Sequence, residues 1–220
     1  MTKTQSRILY TPKSEGFFVV PGVVDRGETG TYRVFENMTS SMTQDQLSEL
    51  YETKNQKGNP HPVDSVLHFA IPLAAYNLKN ESPNEAEKLR QFLRQGFRQF
   101  PNTLTRAVYN LSGGDKIVHN HGTSDEYSSD AEIVGPDGLI AKIPDKKILE
   151  SLLGTDDIDK INEVSNWING TNSYLWRLNS KPKNKEERVI RFCAGDVRFG
   201  LYCVRSPFSE YPAFRVLRIE

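Results

Sequence analysis

Apolar positions follow a strand-like pattern at the two ends of the chain and a helix-like one in its middle. Phe17 to Val24 is aromatic and β-branched, Gly27 and Gly30 mark a turn, and Thr31 to Glu36 alternates. The first 40 residues therefore predict strands and turns. Thr43 followed by Gln46 is a capping-box pattern, and Leu47, Leu50 and Tyr51 mark a short helix behind it. A loop rich in Gly and Pro covers 57–62. Asp64 to Leu78 reads as a buried helix interrupted at Pro72. In Ser82-Pro83-Asn84-Glu85, Ser82 suits a cap, Pro83 the first helical position and Glu85 the reach back to the cap. Ala86, Leu89, Leu93 and Phe100 follow as a stripe, and a second helical stretch is predicted from Leu104 to Leu111, ended by Gly113-Gly114.

Lys116 to His121 predicts a strand running into a polar loop over 122–130. Ala131 to Val134 and Leu139 to Ile143 flank the turn sequence Gly135-Pro136-Asp137-Gly138. Ile148, Leu149, Leu152 and Leu153 line one further helix, and Ile158, Ile161, Val164 and Ile168 another that stops near Gly170. Tyr174 to Leu178, Arg188 to Cys193, Arg198 to Arg205 and Ala213 to Ile219 predict a C-terminal antiparallel meander. Helices grouped between strand runs indicate an α+β fold, N-terminal strands, helical middle and C-terminal sheet. The whole of 1–220 reads as one compact domain, and any sub-boundary is expected near Gly113-Gly114.

Composition narrows the class. The 220 residues are 37% hydrophobic and 25% charged, which excludes a collagen, a disulfide scaffold and a wholly disordered chain. Formal net charge is zero, against the strong basicity of a dedicated non-specific nucleic-acid binder. The longest apolar run, Val66 to Leu78, is too short to span a bilayer, and the start lacks an apolar signal segment. A cytoplasmic protein without a membrane partner is the expectation. A two-residue turn at Gly195-Asp196 would set Cys193 opposite Arg198 and Cys203 opposite Arg188, so both thiols are expected reduced and packed.

Charge is unevenly placed. Residues 121–170 hold eleven acids against four bases, and 176–220 hold ten bases against five acids. Arg90, Arg94 and Arg98 recur every four residues, as one ridge on a helix. Arginines interleave with aromatics near the C-terminus, with Arg205, Phe208, Tyr211 and Arg215 as candidate contacts. These residue types are enriched at protein interfaces, and on an open sheet they also stack bases. The leading reading is a non-enzymatic binding or regulatory protein that uses this Arg/aromatic face, needs no cofactor and meets a protein partner or a second copy. Nucleic-acid binding through the same arginines is a further alternative.

One short motif carries chemistry. His119-Asn120-His121 would turn both imidazoles to one side of a strand, and Asp125 or Glu126 in the following loop would add a carboxylate. Such a set suits one divalent transition metal. The spacing of Gly113, His119, His121 and Glu126 resembles the first metal-binding motif of cupins. That resemblance implies a small β-barrel with a metal in its mouth, and hence a metal-dependent enzyme acting on a small molecule. It covers about fourteen residues of the chain, Gly113 to Glu126. No His follows His121, so the second cupin motif has no counterpart. His61, between two prolines, reads as exposed, and His68 as a satisfied core histidine.

Overall fold

The computed structural model describes residues 7–12, 15–111, 114–205 and 207–220. The fold is α+β, with strands first, helices in the middle and strands last. One sheet has the order β1 (Leu9–Thr11), β2 (Phe17–Asp25), β3 (Glu28–Phe35) and β11 (Arg215–Arg218), antiparallel throughout. The second has seven strands. In spatial order they are β6 (Tyr127–Asp130), β5 (Lys116–His119), β4 (Asn102–Tyr109), β9 (Glu186–Ala194), β10 (Phe199–Val204), β8 (Ser173–Trp176) and β7 (Gly138–Leu139).

The C-terminal strands do not form one meander. β9 and β10 are an antiparallel hairpin, β8 runs parallel to β10, and β11 leaves to pair with β3. Ala194 faces Phe199, so the hairpin loop is Gly195–Arg198 and the register differs from that of a two-residue turn. Cys193 stands opposite Gly200 and Cys203 opposite Ile190, and both thiols are free.

Between the sheets lies α2 (Ser65–Asn77), with ten of its residues buried. It packs on β2 and β4 and on α3 (Pro83–Phe97), α4 (Lys147–Leu153) and α5 (Ile158–Asn169). A helix apolar on all sides is a core helix. Asp64 caps it, accepting the Leu67 N–H at 2.9 Å. Pro72 sits inside α2 and does not interrupt it. Packing on every side outweighs the one backbone bond that proline removes. In α3, Pro83 takes the first turn as expected, but the Ser82 hydroxyl accepts the Ile8 N–H at 3.0 Å and does not cap.

The stretch expected as a helix over Leu104–Leu111 is strand β4, buried at all eight positions. Its Thr, Val and Tyr side chains favour a pleated backbone. Burial on both faces erases the two-residue alternation by which a strand is read. The Gly113-Gly114 boundary falls partly outside the described residues. Helix α1 (Gln44–Asn55) buttresses β4, and its Thr43–Gln46 capping box is formed. The Gln44 amide donates to the Thr103 and Thr105 carbonyls, and Arg106 pairs with Asp45 at 2.6 Å and Glu187 at 2.8 Å.

Candidate functional site

A cleft of about 440 Å³ opens where the β2–β3 turn, β5, β6, α2 and α4 meet. Its apolar floor includes Val66, Ala70 and Leu73, one stripe along α2, with Leu153 from the end of α4. Its polar lining comes from four separate segments: the turn with Arg26, β5 with His119, β6 with Tyr127, Ser129 and Asp130, and α4 with Lys147, Glu150 and Ser151.

Arg26 sits at the tip of the β2–β3 hairpin. Asp25 pairs with Glu28, so Arg26 and Gly27 are the two turn residues, with φ of 49° and 81°. Two positive φ values mark the hairpin turn whose twist matches its strands. Gly27 accepts that conformation freely, whereas Arg26 holds it against its Cβ.

His119 is 1% exposed and stacks on Tyr127, with centroids 4.7 Å apart and planes at 20°. Thr105 Oγ1 accepts the Ser65 N–H at 2.8 Å and lies 3.1 Å from His119 Nδ1. A second hydrogen bond joins the ring to the Ser151 backbone, and burial holds the imidazole below its usual pKa. The Tyr127 hydroxyl donates to Asp64 at 2.9 Å. Burial and the nearby Asp64 carboxylate push that phenol up, so it stays a donor.

A smaller polar pocket of about 150 Å³ adjoins the cleft, and Arg26 lines both. Here Tyr32 donates to Asp25 at 3.1 Å, and Tyr51 donates to Asp125 at 2.6 Å. Asp25 is 7% exposed, and burial, then Asp64, raise its carboxyl above the ordinary aspartate value. His61 is half-buried, not exposed, with its ring 4.7 Å from that of Tyr51.

The structure does not bring the expected metal ligands together. Asn120 has φ of 48°, so the strand ends at His119 and the two imidazoles lose their common side. His119 is engaged by Thr105 and Ser151, as above. His121 is half-buried, in the field of Arg106, Glu126, Glu187 and Asp45. Asp125 accepts from Tyr51 and Asn55, while Glu126 accepts the Gly122 N–H at 2.8 Å. Among the described residues no three His, Cys, Asp or Glu side chains are grouped to hold a metal ion. The chain is a two-sheet α+β protein, not the barrel that the cupin spacing implies.

Most of the expected contact arginines are tied internally. Arg90 pairs with Glu87 at 2.6 Å and reaches the Trp167 and Ile168 carbonyls at the end of α5. Arg94 is half-buried, and Arg98 pairs with Asp196 at 3.2 Å. Arg215 pairs with Glu15 and lies over the Phe35 ring. The Tyr211 ring is covered by Arg191, 4.0 Å away. Arg98, Arg205 and Phe208 are the exposed members, the last at 77%. The aromatic row that does line the outer sheet face is Tyr174, Trp176 and Tyr202, with Arg198 over the first two.

Sequence reasoning missed Arg26, Asp64 and Tyr127 as site residues. The one available signal was the Asp25-Arg26-Gly27 turn, where a residue other than Asn, Asp or Gly precedes the glycine. No protein family, curated protein or solved structure matches the chain. Among the described residues no helix is long and apolar enough to cross a membrane.

Proposed function

We propose that the protein is a binding protein for a small organic molecule, held in the cleft between the β2–β3 turn, α2 and α4. The carrying observation is the cleft, with its apolar α2 floor and convergent polar rim. Its volume of about 440 Å³ lies within the usual span for ligand sites, roughly 300–1,000 Å³. One polar atom in the lining supports this further: the Ser129 hydroxyl is buried and has no hydrogen-bond partner. Buried polar groups are normally paired, and a ligand atom supplies such a pair.

The test is a ligand-observed NMR screen of fragment mixtures against the full chain, repeated with Val24→Trp. Val24 lines the cleft from an exposed position on β2, so an indole there fills space without disturbing the core. Fragments that bind the natural chain and are lost with Val24→Trp support the reading. Binders indifferent to Val24→Trp would overturn it.

A second reading rests on the exposure of Phe208 and Arg205 beside the C-terminal sheet. An exposed aromatic and an exposed arginine, the latter 3.6 Å from the Glu186 carboxylate, are residue types that carry protein contacts. Here it would serve a partner protein or a second copy. Sedimentation of the natural chain and of Phe208→Ala/Arg205→Ala decides the self-association branch, and a pull-down decides the other. Nucleic-acid binding would require a gel shift that weakens steeply with salt.

A further inference from the structure

The charges around the cleft do not balance. Arg26 and Lys147 line it together with Asp130 and Glu150. Behind Arg26, in the adjoining pocket, stand Asp25 and Asp64, both almost fully buried. Asp64 accepts from the Leu67 N–H and the Tyr127 hydroxyl, while the cation paired with Asp25 is Arg26, at 3.6 Å, beyond hydrogen-bond length. Counted over both pockets, Arg26, Lys147 and Arg218 meet Asp25, Asp64, Asp125, Asp130 and Glu150, three cations against five carboxylates, and water screens the two buried ones, Asp25 and Asp64, weakly. The wall at this point is aromatic: the Arg26 guanidinium lies 5.4 Å from the centroid of the Tyr127 ring, which is backed by His119. A negative field over an aromatic face selects a cation.

Arg26 is loosely held there. Its side chain is 49% exposed, and its backbone occupies the left-handed region. Strained non-glycine residues of this kind cluster at ligand clamps and switches. We infer that the cleft takes an organic cation, an ammonium or guanidinium on an apolar body, and that the Arg26 guanidinium is a placeholder which the ligand's head group displaces from the Tyr127 face. The apolar body then lies on Val66, Ala70 and Leu73. This inference rests on the cleft being the binding site.

Three probes with one body separate the two ideas: 2-phenylethylammonium, 2-phenylethanol and phenylacetate, titrated into the full chain at neutral pH and followed by NMR shifts. The ammonium is expected to bind about ten-fold tighter than the alcohol, the scale of one desolvated cation–π contact, with phenylacetate weakest. Arg26→Asn suits the left-handed backbone and removes the competing cation, so it tightens the ammonium by about three-fold or more. Asp130→Asn lies outside the hairpin and is expected to weaken the ammonium and strengthen phenylacetate. Phenylacetate binding tighter than the ammonium, or Arg26→Asn weakening it, overturns the inference. Equal binding of all three, abolished by Val24→Trp, removes the cation and keeps the cleft. No binding, or binding that Val24→Trp leaves unchanged, removes both.

Discussion

His68 offers a direct test of how the core was read. It lies on α2, 3% exposed, stacked on Phe192 with centroids 4.6 Å apart and flanked by Phe97 and Phe214. Neither ring nitrogen has a hydrogen-bond partner. Burial alone holds its pKa down, to about 3. In the unfolded chain a histidine titrates near 6.5. The folded pKa is the lower one, so this contribution to stability is fully present above about pH 6.5 and is lost as pH falls toward 3. At pH 5 the unfolded imidazole is protonated and the folded one is not. Linkage then gives a loss of about 2 kcal/mol relative to pH 7.5. His61, His119 and His121 are shifted in the same direction, so the natural chain shows a steeper total. His68→Leu removes only the His68 share. Urea unfolding of both chains at pH 7.5 and pH 5.0 is the assay. The drop in unfolding free energy is expected to be about 2 kcal/mol smaller in the variant. At pH 7.5 the variant should be no less stable. Two unsatisfied polar atoms, at about 1–3 kcal/mol each, stand against three ring contacts of about 0.5–1.5 kcal/mol each, and leucine keeps part of the latter as apolar packing. Identical pH dependence in the two chains would show that His68 is solvated or protonated in the fold, and the reasoning would fail.

Ala70→Leu is expected to separate stability from binding: its added carbons fill the cleft floor, raising stability by up to about 2 kcal/mol in thermal melts while abolishing fragment binding. A destabilised variant that still binds would place the cleft wrongly. Thr43→Ala removes the capping box of α1 and should cost about 1 kcal/mol in urea unfolding; a change under a few tenths would mean the cap is redundant. Elemental analysis should give the same transition-metal content for the natural chain and for His119→Ala/His121→Ala, because Asn120 turns the two rings apart. About one equivalent of metal, lost in the double variant, would restore the metal reading.

Elements with a single buried face were legible. α5 and α3 showed their apolar stripes, and the capping box of α1 was visible as Thr43 and Gln46. Elements buried on both sides were not. β4 carries Leu104, Ala107 and Val108 at spacings that also fit a helix, and α2 was read as broken at a proline that its packing tolerates. The polar segment 122–130 hid β6, because its Ser128 and Asp130 face solvent and Tyr127 alone carries apolar weight. Strand partners lay beyond reach. That β11 would join β3, across most of the chain, is decided by which edges are free after the core has formed.

The cleft follows from the same physics. A helix as apolar as α2 needs cover on every side, and the chain supplies it unevenly. α3 and α5 screen part of it, while α4 is only seven residues long and ends at Gly154, with φ of 72°. A Cβ at Gly154 would stand 2.9 Å from Val66 Cγ1, so the glycine lets the chain turn closely past α2 and away. The stripe Val66–Ala70–Leu73 floors the cleft below the hairpin turn, and Ala70 is the smallest of the three. Arg26 and Tyr127 above it, and Asp64 in the adjoining pocket, come from a turn, a strand and a helix cap. In sequence each is explained by its local duty. Only the fold shows that these three duties are discharged around two adjoining pockets that share Arg26, the larger of them floored by the apolar helix.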